Sequence, residues 1–514
     1  MRNQLKAGAI LSYLALFISS AISIVYTPIM LKLLGQSEYG IYSLATSAAS
    51  YVGILNFGLG NAVIRYTAKY KALNDEQQCS RLYGMFFIMY GMLGSIALIS
   101  GTILTLNAEQ IFSRSLSIEE LTTLKYLMAI MVINIAIGIG FGIFSVIILA
   151  LEKFVIQKVI VIISSIISPL IVLPLLIMGY GSIAMAVVTT AVSMLSIIFN
   201  MFYCFKVLKI KIVFGRIPKG LLREITVFSS FIFLNLIIER IYWSTDQIIL
   251  GIYSGSIAVS IYSIGTAFSG YFIGFSSAIS NVFLTKVTGM VTREVPDKEL
   301  SDLFIKVGRV QFIILSFAMS GFIVFGQPFI HLWVGSDYNT SYLIALIILV
   351  PSLISLIQSM GGVILQAKNL QKFKTILYFC IAVANVILSI IFVRYWGAVG
   401  CAIATAIAFI IGNVIIMNIY YQKKLKIEIK KFWINIMKMS LPLSGSILFA
   451  VFTKKYLLVS SWGQLLFECL LFSIVYFLVA WFLSMNEYEK QLIKAPIGKV
   501  YKKIMKSLQL GVEG

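Results

Sequence analysis

The strongest constraint in this sequence is a run of about 20 apolar residues that recurs along the whole chain, each long enough to cross about 30 Å of hydrocarbon as a helix. Fourteen such runs fall near 8–34, 41–64, 83–106, 124–150, 159–178, 183–205, 225–250, 257–284, 308–330, 342–365, 375–393, 398–420, 438–456 and 462–484. Lipid offers backbone N–H and C=O groups no hydrogen-bond partner, so segments of this kind must satisfy themselves as helices. With 60% hydrophobic and 12% charged residues over 514 positions, an ordinary soluble globule is excluded. The fold class expected is an all-α polytopic membrane protein of about 14 transmembrane helices.

The seventh run breaks the apolar rule. Residues 225–252 carry Glu239, Arg240 and Asp246, and each charge at mid-bilayer costs about 2.5–3.5 kcal/mol on insertion scales. These side chains must therefore face protein or water. At about 100° per residue, Glu239 and Asp246 share a stripe with Asn235 and Tyr242. Arg240 points elsewhere and has no local partner. Two readings stay open: a polar network that ties neighbouring helices together, or a wet pathway in which a charged substrate or a proton meets these groups.

The net charge of +21 would suggest nucleic acid in a soluble protein, but its placement gives another answer. With the N-terminus inside, loops on that side hold 34 of the 41 Lys and Arg, including Arg65 and Lys286 at inner helix ends, which is the positive-inside asymmetry. Both termini are then cytoplasmic, and the partners of the basic loops are membrane lipids with anionic head groups, with no nucleic acid. Trp333, Trp396, Trp433, Trp462 and Trp481 fall near helix ends, as in an aromatic belt. The five cysteines and the single histidine, His331, have no ligand-like spacing, so neither disulfide, metal nor resident cofactor is expected. The first apolar run is too long for a cleavable signal peptide and lacks a small-residue cleavage site.

Helix two contains Asn56-Phe57-Gly58-Leu59-Gly60-Asn61, small and polar residues that either permit close packing or line a cavity. The longest outer loop, 107–123, is too short to form a catalytic domain. Its Glu109, Glu119 and Glu120 read as a solvated face, so an enzyme acting at the outer surface is not expected. Pro169 and Pro174 lie inside helix five. An internal repeat divides the chain. Gln157-Lys158, Gly181-Ser182 and Asn200 recur as Gln371-Lys372, Gly397-Ala398 and Asn418, displaced by 214 to 218 positions, and Gly40-Ile41-Tyr42-Ser43 and Asn61 recur as Ser260-Ile261-Tyr262-Ser263 and Asn281, displaced by 220.

The expected organisation is two six-helix lobes of a parallel repeat, 1–205 and 225–420, joined by a basic cytoplasmic linker, 206–224. Two further helices with their preceding basic loop occupy 421–484, and a basic cytoplasmic tail 485–514. In parallel-repeat transporters the binding site lies between the halves near the bilayer midplane.

Several stretches carry a family resemblance. Leu34-Gly35-Gln36-Ser37-Glu38-Tyr39-Gly40-Ile41-Tyr42-Ser43, Phe57-Gly58-Leu59-Gly60-Asn61 and Ile64-Arg65-Tyr66 resemble the N-terminal signature of the polysaccharide transporter branch of the multidrug/oligosaccharidyl-lipid/polysaccharide exporter superfamily, which includes the Wzx flippases. Asp246-Gln247-Ile248-Ile249-Leu250-Gly251 and Leu332-Trp333-Val334-Gly335-Ser336-Asp337-Tyr338 are similar to further stations of that pattern. The resemblance spans about residues 8–420 and identifies the branch rather than the substrate. It implies a bacterial plasma-membrane flippase that carries undecaprenyl-diphosphate-linked oligosaccharide from the inner to the outer leaflet by alternating access. Polysaccharide polymerase and glycosyltransferases are its implied partners.

On that reading Arg240 receives phosphate or acidic sugar, with Asn235, Tyr242 and Asn61 lining the cavity and Arg65 and Lys286 at its inner mouth. Glu239 and Asp246 would carry a coupling H+ or Na+. The alternatives are a drug/cation antiporter of the same fold and a flippase for peptidoglycan or teichoic acid precursor. Alkaline phosphatase fused after residue 210 or 430 should be inactive and fused at residue 115 active. Activity at either inner position would reverse the assigned orientation.

Overall fold

The computed structural model describes residues 2–215, 219–456, 461–492 and 494. Arg216 of the linker and the tail lysines Lys499, Lys502, Lys503 and Lys506 lie outside the described residues. Within the described residues the chain is helical, without a strand. Thirteen helical runs there are long and apolar enough to span a membrane.

One of those runs accounts for two spans. The stretch Gln371–Lys424 holds 54 residues, about 80 Å of helix at 1.5 Å per residue, far beyond one bilayer crossing. Gly397 breaks it with φ 52° and ψ −130°, a left-handed backbone open chiefly to glycine. Three residues on, a Cβ at Gly400 would strike the carbonyl of Phe392. Residues eight apart along a straight helix would lie about 12 Å apart, so the chain folds back here. Fourteen spans result among the described residues, as the apolar runs predict.

Two compact units emerge, Met1–Gly265 with Tyr378–Thr405, and Thr266–Leu377 with Ala406–Gly514. In the first, helix Glu76–Leu106 packs on Ile118–Phe141, Arg2–Leu34 on Phe154–Ile177, and Gln36–Val52 on both Ile118–Phe141 and Lys219–Tyr253. Its core near the basic end gathers Tyr66, Phe86, Tyr90, Phe144, Ile147 and Cys204.

The second unit is built around Asp297–Val334, a 38-residue helix that packs on Asn339–Leu356, Ile429–Tyr456 and Trp462–Val479. Arg309 on this helix makes a buried ion pair with Glu489, Nε to Oε1 at 2.5 Å and Nη2 to Oε2 at 3.0 Å. Glu489 also accepts from the Asn486 backbone N–H at 2.9 Å. One carboxylate thus caps the last described helical turn and docks it. Trp333, expected in an interfacial belt, is buried instead, because Phe329 and Phe268 close over it with ring centroids 5.4 Å and 5.9 Å away.

Several spans are discontinuous. The second leaves the α-helix over Gly53–Asn56, passes through left-handed Phe57 (φ 52°) and Gly58 (φ 62°), and resumes at Leu59–Ala72. The fourth is interrupted at Gly142, the eighth at Phe283 and the tenth at Ile357 and Gln358. These are spans two and four of one sequence repeat and their counterparts in the other. Irregular backbone at membrane depth persists only where protein or water satisfies it.

Two helices of the first unit approach closely at Gly40, where a Cβ would collide with the backbone carbonyl of Ser256. Gly40→Ala should lower stability by about 1–3 kcal/mol through overpacking, read as a lower midpoint of thermal unfolding in detergent. Gly91→Ala, in an open helical position, should leave the midpoint unchanged. Equal melting of both variants would contradict the close approach.

Candidate functional site

The seventh span is helix Lys219–Tyr253, and its ionisable residues meet two different environments. Asp246 is 2% exposed. The Tyr262 hydroxyl donates to its Oδ2 at 2.5 Å, the Thr405 hydroxyl to Oδ2 at 2.7 Å and the Ser389 hydroxyl to Oδ1 at 2.7 Å. Asn385 Oδ1 lies 3.3 Å from the Thr405 hydroxyl, and the Asn385 Nδ2 is buried with no hydrogen-bond partner among the described residues. No Lys or Arg among the described residues forms an ion pair with Asp246.

Neutral oxygens therefore surround a buried carboxyl. Three hydroxyl donors can hold the group as a hydrogen-bonded carboxylate, and the same oxygens can accommodate it with a proton or with a cation. Asn385 and Ser389 stand one helical turn apart on the eleventh span, and Thr405 follows on the twelfth, past the Gly397 break. The chain reversal brings both onto one carboxyl. Sequence reasoning named Tyr262 only as part of a repeated motif and singled out none of Asn385, Ser389 and Thr405. The available signal was an i, i+4 pair of polar residues inside the apolar run 375–393.

Glu239, Arg240 and Asn235 lie on the same helix but are exposed, and Tyr242 is half-buried. No carboxylate among the described residues forms an ion pair with Arg240. Glu239 and Asp246 share a stripe yet sit about 10 Å apart along the axis, far enough for neighbouring helices to cover one and leave the other open. Asn61 and Arg65 are exposed on Leu59–Ala72, and Lys286 is exposed on Leu284–Thr292, in the second unit.

The seventh span is held to the second and the eighth by polar contacts. Ser47 donates to Gln247 Oε1, Gln247 Nε2 donates to Ser263 at 3.0 Å, and the Tyr51 and Thr245 hydroxyls pair. At the break in the second span, the Phe57 ring stacks on Phe233 with centroids 3.9 Å apart and planes 2° from parallel. The left-handed turn at Phe57 aims this ring at the seventh helix. The motif that reads as packing or cavity lining is thus a hinge-like interruption locked by an aromatic stack.

The outer loop also differs from expectation. Glu120 is half-buried and engaged: it accepts from Ser37 at 2.5 Å, from Ser256 at 2.6 Å and from the Ser117 backbone N–H at 2.9 Å, completing a capping box. Two spans present their serines to one helix start, an arrangement that loop length alone does not reveal. Glu109 is exposed and pairs with Lys125 at 2.6 Å, a hydrogen-bonded ion pair that holds its carboxyl below the ordinary range.

A family profile described as "Polysaccharide biosynthesis protein" matches residues 5–283. No curated protein matches the chain. Among solved structures, the fold is similar to "Lipid II flippase MurJ, inward closed conformation", 20% identical, covering 92% of this chain and 98% of that one with a TM-score of 0.71. It is also similar to an inward-facing multidrug resistance MATE family transporter of the MOP superfamily, 15% identical, covering 82% and 99% with a TM-score of 0.63. A MATE in the straight conformation is 17% identical, covering 83% and 97% at 0.52.

Each hydroxyl on Asp246 should contribute measurably to stability. Ser389→Ala and Thr405→Val each remove a donor from a buried acceptor, at a cost of about 1–3 kcal/mol. Thermal unfolding of the purified variants is the measurement. Wild-type midpoints in both would show that these contacts carry no stability.

Proposed function

We infer the function from the family: the chain belongs to the polysaccharide biosynthesis protein family, and we propose that it is a Wzx-type flippase for undecaprenyl-diphosphate-linked oligosaccharide. It is a multi-pass membrane protein with the fold of MurJ and MATE transporters, a transporter rather than an enzyme. The observation that carries the reading is Arg240, an exposed guanidinium within a membrane-spanning helix that no carboxylate among the described residues neutralises. A diphosphate leaving water needs such a donor, and guanidinium offers it a planar bidentate fork.

The two repeat halves, 1–205 and 225–420, then act as lobes that alternate access to the two leaflets, with both termini cytoplasmic. Asn235, Tyr242 and Asn61 line the wet path for the hydroxyl-rich glycan, while Arg65 and Lys286 attract the anionic head at the inner mouth. The polyprenyl tail can stay in lipid. Glu239 and Asp246 supply the coupling. The oxygens of Asn385, Ser389, Thr405 and Tyr262 equip Asp246 to exchange a proton or Na+, and neutralising the carboxyl changes how firmly the seventh, eighth, eleventh and twelfth spans are tied.

The MATE-like fold keeps a second reading in play, a drug/cation antiporter. An exposed arginine on the seventh span repels a cationic drug, which favours an anionic cargo. Peptidoglycan and teichoic acid precursors share the lipid-phosphate head and are separated by assay, as are the partners, a polymerase and glycosyltransferases. In proteoliposomes, Arg240→Ala should slow flipping of lipid-linked oligosaccharide by about 30-fold or more, matching the 2–5 kcal/mol typical of a truncated charge partner. Asp246→Asn should retain fold and lose the dependence of flipping on the proton or sodium gradient. Wild-type flipping by Arg240→Ala, or unchanged gradient dependence in Asp246→Asn, rejects the corresponding role.

A further inference from the structure

A second buried carboxyl lies outside the two repeat halves, in the hairpin of the last two spans, helices Ile429–Tyr456 and Trp462–Val479. The second of these helices buries Leu465, Glu468, Phe472 and Tyr476, spaced three and four apart, as one packing stripe. Phe472 and Tyr476 press on Phe317 of the long helix Asp297–Val334, with ring centroids 5.8 Å and 5.1 Å away, and the Tyr476 hydroxyl donates to the Ile313 carbonyl at 2.9 Å. Glu468 is the one carboxyl in that stripe. It is 1% exposed and stands roughly 9 Å along the axis from the first residue of its helix.

The surroundings of Glu468 are poorer in donors than those of Asp246. Its Oε2 lies 3.1 Å from the Thr453 hydroxyl, and its Oε1 is buried with no hydrogen-bond partner among the described residues. The Thr453 hydroxyl also lies 3.1 Å from the Ala450 carbonyl, and its single proton serves only one of the two acceptors. At most one donor therefore faces this carboxyl, where three face Asp246. No ion pair involves Glu468 among the described residues. The other titratable or charged groups at this end of the packed helices are Cys469, next in the chain, Lys454, Lys455 and Tyr456 after Thr453, and His331 near the end of Asp297–Val334. A buried carboxylate needs several donors or an opposite charge, and its unpartnered oxygen is accounted for if the site takes a cation.

We propose that Glu468 and Thr453 form a binding site for a small monovalent cation, H+ or Na+, separate from Asp246 and independent of the coupling assigned above. A proton on Oε2 lets the acid donate to Thr453 while Thr453 donates to Ala450, so both contacts form together. Na+ instead collects the carboxylate and hydroxyl oxygens, as hard cations do. Either cation neutralises the charge inside the stripe that packs the hairpin on Asp297–Val334, so occupancy sets how firmly the hairpin is docked.

Thermal unfolding of the full-length protein in neutral detergent tests the site, with Asp246→Asn as the common background so that the other buried carboxyl gives no response. Glu468→Gln keeps the shape of the side chain and removes its charge. In one arm Na+ replaces choline at fixed pH and ionic strength; in the other, pH is varied in choline. The midpoint should rise saturably with Na+ or as the pH is lowered, and Glu468→Gln should remove that rise. Removal confined to the Na+ arm identifies sodium, removal confined to the pH arm identifies a proton, and removal in both marks competition for one carboxyl. Thr453→Val, which keeps the carboxyl, should raise the half-saturating cation concentration about fivefold, the scale of one hydrogen bond. Equal responses with and without Glu468→Gln overturn the proposal, as does an unshifted half-saturation in Thr453→Val should Glu468→Gln fail to fold.

Discussion

A charge in hydrocarbon is tolerated only where protein or water receives it, and the functional parts of this molecule follow from that constraint. Apolar side chains cover most of each span and dictate helices, but they give no reason for one helix to prefer another, since lipid is as apolar as leucine. Polar groups supply that preference. Asp246 draws Tyr262, Ser389 and Thr405 from three other spans, Glu120 draws Ser37 and Ser256, and Arg309 draws Glu489. Each is a point where segments remote in sequence are pinned together.

The same constraint separates the two halves of the seventh span. Around Asp246 the neighbours provide enough hydroxyls to hold a neutral carboxyl or a carboxylate with its cation. Around Glu239 and Arg240 they do not, and these side chains are exposed. In the proposed function, the buried carboxyl held by hydroxyls would serve coupling and the open guanidinium about two turns away on the same helix would serve the anionic cargo.

Much of the fold was legible in the sequence because hydrocarbon thickness imposes a length and the absence of water imposes a helix. The fourteen spans and the return at Gly397 follow from apolar runs and a glycine between them. The environment of Asp246 was not legible, because Ser389 and Thr405 look like ordinary hydroxyls until the chain reversal places them together. The interruption at Phe57 and Gly58 was visible only as a run of small and polar residues, since a left-handed turn at a phenylalanine has no compositional mark. Trp333 and Glu120 misled for one reason: position near a helix end or in a short loop says nothing about what packs over it.

The most direct measurement follows the lipid-linked oligosaccharide in cells from which the protein has been depleted. Labelled repeat units should accumulate on undecaprenyl diphosphate in the inner leaflet, inaccessible to a membrane-impermeant glycan probe, and become accessible when the protein is restored. Unchanged exposure of the labelled glycan in depleted cells would contradict a flippase at the polysaccharide step.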